Sequence, residues 1–283
     1  MIIYLNGEFV PEAQARVSVF DRGFLFGDGI YEVIPVFGGH PLRLTEHLER
    51  LERSLAEVRI DNPHDRAGWK GLFMTLLEKN PGGDRSLYVQ VTRGVARRDH
   101  AFPSGVRPTV FAMVNPIAPP NPAVLEQGVA AVVIADHRWS RCDIKAITLL
   151  PNVLARQEAL DSGATEAILI RQGLATEGAA SNLFAVGDGV IVTPPKDRSL
   201  LPGITRDLVL ELAQDAGLPV MESAIPEQSL RAAEEIWLTS STREILPVTR
   251  LDGRPVGAGV PGPVWRRLHG LYQDYKARLR EGV

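Results

Sequence analysis

A chain of 283 residues with 45% hydrophobic and 23% charged residues can bury one large or two modest cores, which excludes a disordered or fibrous protein. The formal net charge of −3, with Arg97-Arg98 and Arg266-Arg267 as isolated basic pairs, gives no electrostatic reason for a nucleic-acid partner. A single cysteine, Cys142, excludes an internal disulfide framework and a cysteine-built metal site, so no metal is expected.

The first residues lack the basic and long apolar regions of a signal peptide, and no later run approaches membrane-spanning length. A cytoplasmic protein with no membrane partner is the expectation. Residues 2–5 and 8–10 around Asn6-Gly7 predict a β-hairpin, because Asn-Gly supplies the positive φ values of a type I′ turn. Residues 31–37 and 41–44 around Gly38-Gly39 repeat the pattern. Thr45 is positioned to cap a helix whose Leu48, Leu51, Leu55 and Val58 recur at helical spacing, and Trp69, Leu72, Phe73, Leu76 and Leu77 predict a second. Strand-like runs at 87–92 and 109–114 follow, giving an α+β order.

Residues 115–122 hold four prolines in eight positions and deny the backbone both helix and ladder. The reading is a small N-terminal α+β domain (1–115), a proline-rich linker (116–122) and a larger C-terminal domain (123–283). The latter is predicted as strand 129–135, helix 151–160 with Pro151 at its first position, strand 166–171, strands 183–186 and 190–193, and a helix 205–216 ended by Gly217. A strand at 236–239, a hairpin at Asp252-Gly253 and a helix at 263–280 complete it.

Only five of the 31 Lys and Arg residues are lysine. Lys70, Lys79, Lys196 and Lys276 read as solvated, whereas Lys145 precedes the apolar run Ala146-Ile147-Thr148-Leu149-Leu150. A lysine drawn toward a core loses free energy unless its amine is used, although a stem merely covering apolar surface is the ordinary explanation. Gly257-Ala258-Gly259-Val260-Pro261-Gly262 spells a dinucleotide-binding fingerprint but sits near the C-terminus with Pro261 inside it, and reads as a turn. Gly203-Ile204-Thr205 runs a glycine turn into a helix whose free amides suit an anion; Arg50 and the hydroxyls of Thr239-Ser240-Ser241-Thr242 are candidates to join them. Glu177 lies among small residues and reads, taken alone, as a solvated loop carboxylate. Arg98 and His100 suit a substrate carboxylate, yet basic loop residues are ordinarily solvated. An amine, a carboxylate and an anion-binding helix start together describe a pyridoxal phosphate site.

The chain resembles the fold type IV pyridoxal-phosphate transaminases, and within them most resembles the bacterial enzymes acting on D-amino acids. The likeness is carried by Asp21-Arg22-Gly23-Phe24-Leu25-Phe26-Gly27-Asp28-Gly29-Ile30-Tyr31-Glu32-Val33, Glu46-His47-Leu48-Glu49-Arg50-Leu51, Arg138-Trp139-Ser140-Arg141-Cys142-Asp143-Ile144-Lys145, Thr176-Glu177-Gly178, Gly203-Ile204-Thr205-Arg206-Asp207 and Thr239-Ser240-Ser241-Thr242-Arg243-Glu244-Ile245. It spans nearly the whole chain. It implies a C-terminal pseudo-barrel α/β domain carrying the cofactor lysine, and a homodimer with active sites near the subunit interface.

By the same resemblance Lys145 is the catalytic Schiff-base lysine holding pyridoxal 5'-phosphate, and Glu177 partners the pyridine nitrogen. Arg50, Ile204, Thr205 and Ser241 hold the phosphate, Tyr31 lies beside the reacting centre, and Arg98 with His100 binds the substrate α-carboxylate. The implied reaction is ping-pong transamination of D-alanine- or D-glutamate-type substrates with 2-oxoglutarate or pyruvate. The alternatives on this fold are branched-chain L-amino acid transamination, aminodeoxychorismate lysis and (R)-amine transamination, with a catalytically dead ligand-binding homologue as the non-enzyme reading. Arg-x-His in the 98–100 loop favours the D-amino acid enzymes. Ala179-Ala180 departs from their usual serines, which bears on rate and substrate range.

Overall fold

Asn6 and Gly7, at φ 51° and 101°, turn the chain between β1 (Ile2–Leu5) and β2 (Glu8–Pro11), so the first hairpin forms where its turn residues demand it. The computed structural model describes residues 1–282. A short α1 (Arg22–Phe26) follows, capped by the Asp21 carboxylate on the Gly23 N–H and stopped by left-handed Gly27. Then come β3 (Gly29–Phe37), β4 (His40–Pro41), α2 (Leu44–Glu57), α3 (Arg66–Lys79), β5 (Arg85–Thr92) and β6 (Thr109–Pro116). The six strands form one antiparallel sheet in the order β2-β1-β6-β5-β3-β4. Ile30, Ile34 and Val36 on alternate positions of β3 join Leu48, Leu51 and Leu55 of α2 and Trp69, Phe73 and Leu76 of α3 in the core.

Thr45 does not cap α2. Arg43 enters the left-handed region at φ 47° and starts the helix two residues earlier, and its Nε donates to Glu46 Oε1 at 2.8 Å across the first turn.

The protein has two compact units, and the first is not continuous in sequence: it holds Met1–Ala118, Ile144–Leu149 and the chain's end from Leu279. The inserted segment lies along the N-terminal half of β3, where the Tyr31 N–H donates to the Lys145 carbonyl at 2.9 Å and the Ile147 N–H to the Gly29 carbonyl at 3.1 Å. Ile144 enters the α2 and α3 core. The sequence groups Lys145 with the C-terminal domain; these backbone pairings place it in the first unit instead.

The second unit contains α4 (Pro122–Gln127), β7 (Val129–Ala135), α5 (Leu150–Asp161), β8 (Glu166–Arg171), β9 (Leu174–Gly178), β10 (Asn182–Gly187), β11 (Val190–Thr193), α6 (Ile204–Asp215), β12 (Val220–Glu222), β13 (Ile225–Pro226), α7 (Glu227–Arg231), β14 (Glu235–Ser240), β15 (Glu244–Leu251), β16 (Arg254–Pro255) and most of α8 (Pro263–Arg280). Its strands run β12-β11-β10-β14-β15-β7-β8-β9-β13, with β16 on β15. β9 also pairs with β10 at Glu177 and Asn182, and this closes the path into a barrel. β7 is parallel to both β8 and β15, with α5 as the crossover between β7 and β8, packed through Ala155 and Ala159.

Two residues read as solvated are buried. Glu177 is part of β9 and 4% exposed, because pairing on both sides makes a strand of a stretch in which Thr176 is the one β-branched residue. Lys276 is 5% exposed, since Trp265, Leu268, Tyr272 and Lys276 recur at helical spacing on the inward face of α8. Its Nζ donates to Glu244 Oε1 at 2.5 Å.

Candidate active site

In the first unit the alternation of β3 sends neighbouring side chains to opposite faces. Tyr31 stands on the face reached by Lys145, whose Nζ is 4.2 Å from the ring centre. Tyr31 stacks on Tyr88 at 5.8 Å between centroids, and burial pushes the Tyr88 hydroxyl up to about 12. Among the described residues no carboxylate pairs with the Lys145 amine. The Lys145 N–H meets the Ser54 hydroxyl of α2 at 3.4 Å.

Glu32 faces the opposite way and is buried beneath α2. Arg50 grips it through Nε at 2.7 Å and Nη2 at 2.8 Å, and His47 Nδ1 lies 2.8 Å from its Oε2. Burial raises the Glu32 carboxyl, but the Arg50 guanidinium and the two hydrogen-bond donors overcome this and hold it well below the carboxylate range. An ionised carboxylate only accepts, so His47 Nδ1 is the donor. Burial lowers the His47 imidazole against the upward pull of Glu32. The candidate phosphate residue Arg50 is therefore a buried, oriented cation.

Arg98 and His100 lie exposed on the loop after β5. Phe26 packs beneath them, with its ring centre 5.3 Å from the Arg98 guanidinium and 5.4 Å from the His100 ring.

In the second unit Glu177 projects from β9 and is met by three donors. Arg138 donates through Nη1 to Oε1, the Leu201 N–H donates to Oε2 at 3.1 Å, and Asn182 Nδ2 donates to Oε2 at 3.2 Å. Arg138 is itself fixed by Asp136, its Nε and Nη2 donating at 2.9 and 2.8 Å. Burial holds the Glu177 carboxyl above its usual range against the downward pull of Arg138.

Asn182 joins this carboxylate to the segment that leads into α6 and to β14. Its Nδ2 donates to the Leu201 carbonyl at 2.7 Å, and its register partner on β14 is Thr239. Its Oδ1 lies where a Cβ on Gly203 would be, so only glycine fits at that helix start. Gly203 is the N-cap of α6 and provides no side-chain cap, which leaves the first amides, Ile204 and Thr205 among them, for another acceptor. Thr239 Oγ1 is buried without a hydrogen-bond partner, and Ser241 follows in the tight turn to β15.

Tyr31, Arg50 and Lys145 thus gather around β3, while Glu177, Ile204 and Thr205 gather around Asn182, with Ser241 beyond its strand partner Thr239. Arg98 and His100 form a separate loop pair. Sequence reasoning missed Arg138, Asp136, Asn182, Glu32 and His47. An acid at position 32, in step with Ile30 and Ile34 on one strand face, was the available signal for a buried partner.

The Amino-transferase class IV family matches residues 29–251. The chain is 41% identical to the D-alanine aminotransferase of Bacillus licheniformis over 274 residues, 97% of this chain and 96% of that one. It is 42% identical to the D-alanine aminotransferase of Staphylococcus aureus (strain MW2), over 96% of this chain and 97% of the other. Among solved structures it is similar to the branched-chain amino acid aminotransferase of Escherichia coli, with 30% identity, a TM-score of 0.90, and 96% and 93% of the two chains covered. It is also similar to the T.th. branched-chain amino acid aminotransferase with pyridoxamine 5'-phosphate, at 27% identity and a TM-score of 0.91, over 97% and 93% of the chains. The chain belongs to the class IV aminotransferases of fold type IV, and it is a pyridoxal-phosphate-dependent aminotransferase.

Proposed function

We propose that the enzyme transaminates D-amino acids of the D-alanine or D-glutamate type, with 2-oxoglutarate or pyruvate as amino acceptor, by ping-pong kinetics. The observation that carries this reading is 41% and 42% identity to two D-alanine aminotransferases over nearly the whole chain. The exposed cations Arg98 and His100 support it, because a guanidinium beside an imidazole suits an α-carboxylate.

Three features support the fit of the cofactor. The uncapped start of α6 and the unpartnered Thr239 hydroxyl suit a phosphate, and buried Glu177, oriented by three donors, suits a protonated ring nitrogen. Pyridoxal phosphate, when bound, supplies the electron sink that acidifies the substrate Cα–H. Lys145 Nζ is the covalent anchor and afterwards the base that moves the proton at Cα. Glu177 holds the proton on the pyridine nitrogen. Arg50, Ser241 and the Ile204 and Thr205 amides bind the phosphate, Tyr31 borders the reacting atoms, and Arg98 and His100 bind the α-carboxylate. The reading extends to a cytoplasmic homodimer.

A panel of both enantiomers of each amino acid with 2-oxoglutarate or pyruvate, followed by product analysis and the cofactor spectrum, tests the proposal. D-alanine and D-glutamate are expected to turn over fastest. Turnover confined to branched-chain L-amino acids or to primary amines overturns it.

A further inference from the structure

Arg22 is 3% exposed, and its guanidinium addresses the loop that carries Arg98 and His100. Nη1 donates to the Asp99 carbonyl at 2.5 Å and to the Ala101 carbonyl at 3.3 Å, the two peptide oxygens that flank His100. Nε donates to Asp28 Oδ2 at 2.7 Å. Asp28 is shared with Arg93, whose Nε and Nη2 donate at 2.8 and 2.9 Å and whose guanidinium carbon lies 3.7 Å from the centre of the Phe102 ring. Burial raises the Asp28 carboxyl, but the two guanidiniums prevail and hold it below its ordinary range. The loop is thus tied at 99, 101 and 102, with His100 between the ties.

Phe26 completes the device. Its ring has the Arg22 guanidinium at 4.8 Å, the Arg98 guanidinium at 5.3 Å and the His100 ring at 5.4 Å, tilted 42°. A long exposed side chain loses rotamer freedom when it is fixed, so a loop cation held before substrate arrives binds more tightly than a free one. A ring face attracts a guanidinium without consuming its N–H donors, whereas a carboxylate would occupy them. Among the described residues Arg98 pairs with no carboxylate. Its donors remain available to an incoming anion.

We propose that Arg22 and Phe26 are positioning residues that set substrate affinity by holding Arg98 and His100 ready for the α-carboxylate, Arg22 through the loop backbone and Phe26 through the side chains. This rests on the carboxylate role of Arg98 and His100. The test compares holoenzymes Phe26→Leu, Phe26→Tyr, Arg22→Lys and Arg98→Ala, measuring KM and kcat for D-alanine and cofactor affinity by spectral titration.

Phe26→Leu and Arg22→Lys are expected to raise KM about tenfold while kcat stays within about twofold and cofactor affinity is unchanged, and Phe26→Tyr is expected to restore KM. If Arg98→Ala raises KM but Phe26→Leu and Arg22→Lys do not, the positioning role is wrong and the carboxylate assignment stands. Loss of kcat and cofactor affinity in step with KM, without rescue by Phe26→Tyr, marks a merely structural role and also overturns the proposal. An unchanged KM in Arg98→Ala sinks the carboxylate assignment and the proposal with it. Should Phe26→Leu not yield folded holoenzyme, Phe26→Met carries the same comparison.

Discussion

Lys145 Nζ lies 4.2 Å from the centre of the Tyr31 ring, and Tyr31 alternates along β3 with the buried Glu32. Such a contact stabilises an ammonium by roughly 0.5 to 2 kcal/mol and orients it without a counter-ion. Lys145→Ala is expected to abolish turnover and the visible absorption of the covalently held cofactor. Tyr31→Ala is expected to lower kcat about tenfold, with Tyr31→Phe intermediate, because the ring face then remains. A Lys145→Ala enzyme of near-normal activity would refute the anchor assignment.

Arg138 bridges two buried carboxylates, Asp136 and Glu177. Removing one member of a buried ion-pair network destabilises a protein by about 3 to 5 kcal/mol. Arg138→Ala is therefore expected to lower the thermal midpoint clearly and to weaken cofactor binding at least about tenfold. Calorimetry and spectral titration check the two effects separately; an unchanged cofactor affinity refutes the link from Arg138 through Glu177.

Acid sensitivity follows from Glu32, which Arg50 and His47 hold well below the ordinary carboxylate range despite its burial. A depressed carboxyl binds fewer protons folded than unfolded. Its stabilisation is complete above the unfolded carboxylate pKa and is lost as pH falls below it. The thermal midpoint is expected to drop progressively as pH falls below about 5 toward the depressed folded-state value, and less steeply in Glu32→Gln than in the parent. Parallel slopes would show that Glu32 does not titrate in this way.

Lys276 and Glu244 form a buried pair in which the backbone of Glu244 is left-handed, at φ 57°. Lys276→Met leaves the carboxylate uncompensated and is expected to reduce unfolding free energy by about 3 to 5 kcal/mol. The double variant Lys276→Met, Glu244→Gln is expected to recover much of this. Denaturant unfolding of the single and double variants measures the coupling, and additive losses would count against it.

Features governed by near neighbours were legible in the sequence. Asn6-Gly7 dictated its hairpin, leucine spacing its helix, and Gly203 ahead of Ile204 and Thr205 an open helix start. Glu177 was not legible as a strand residue, because its stretch owes its extended form to pairing with β8 and with Asn182 of β10. Arg138 and Asn182 were equally hidden, since Arg138 reaches Glu177 across 39 residues of sequence and Asn182 meets it only where β10 pairs with β9. Lys276 was a different failure. Its spacing from Trp265, Leu268 and Tyr272 predicts an inward face, and only the habit of treating a terminal lysine as solvated concealed it.

The return of Ile144–Leu149 to the edge of β3 has a consequence for biosynthesis. When the first 118 residues have been made, the N-terminal edge of β3 still lacks the partner that Lys145 and Ile147 later provide. That open edge is a site for misassociation until translation delivers the missing segment. The Arg280–Asp84 pairing forms later still. The order of appearance on the ribosome thus makes Lys145 a late arrival in a unit begun long before it, and a fragment ending at the proline-rich stretch is expected to be aggregation-prone rather than an autonomous domain.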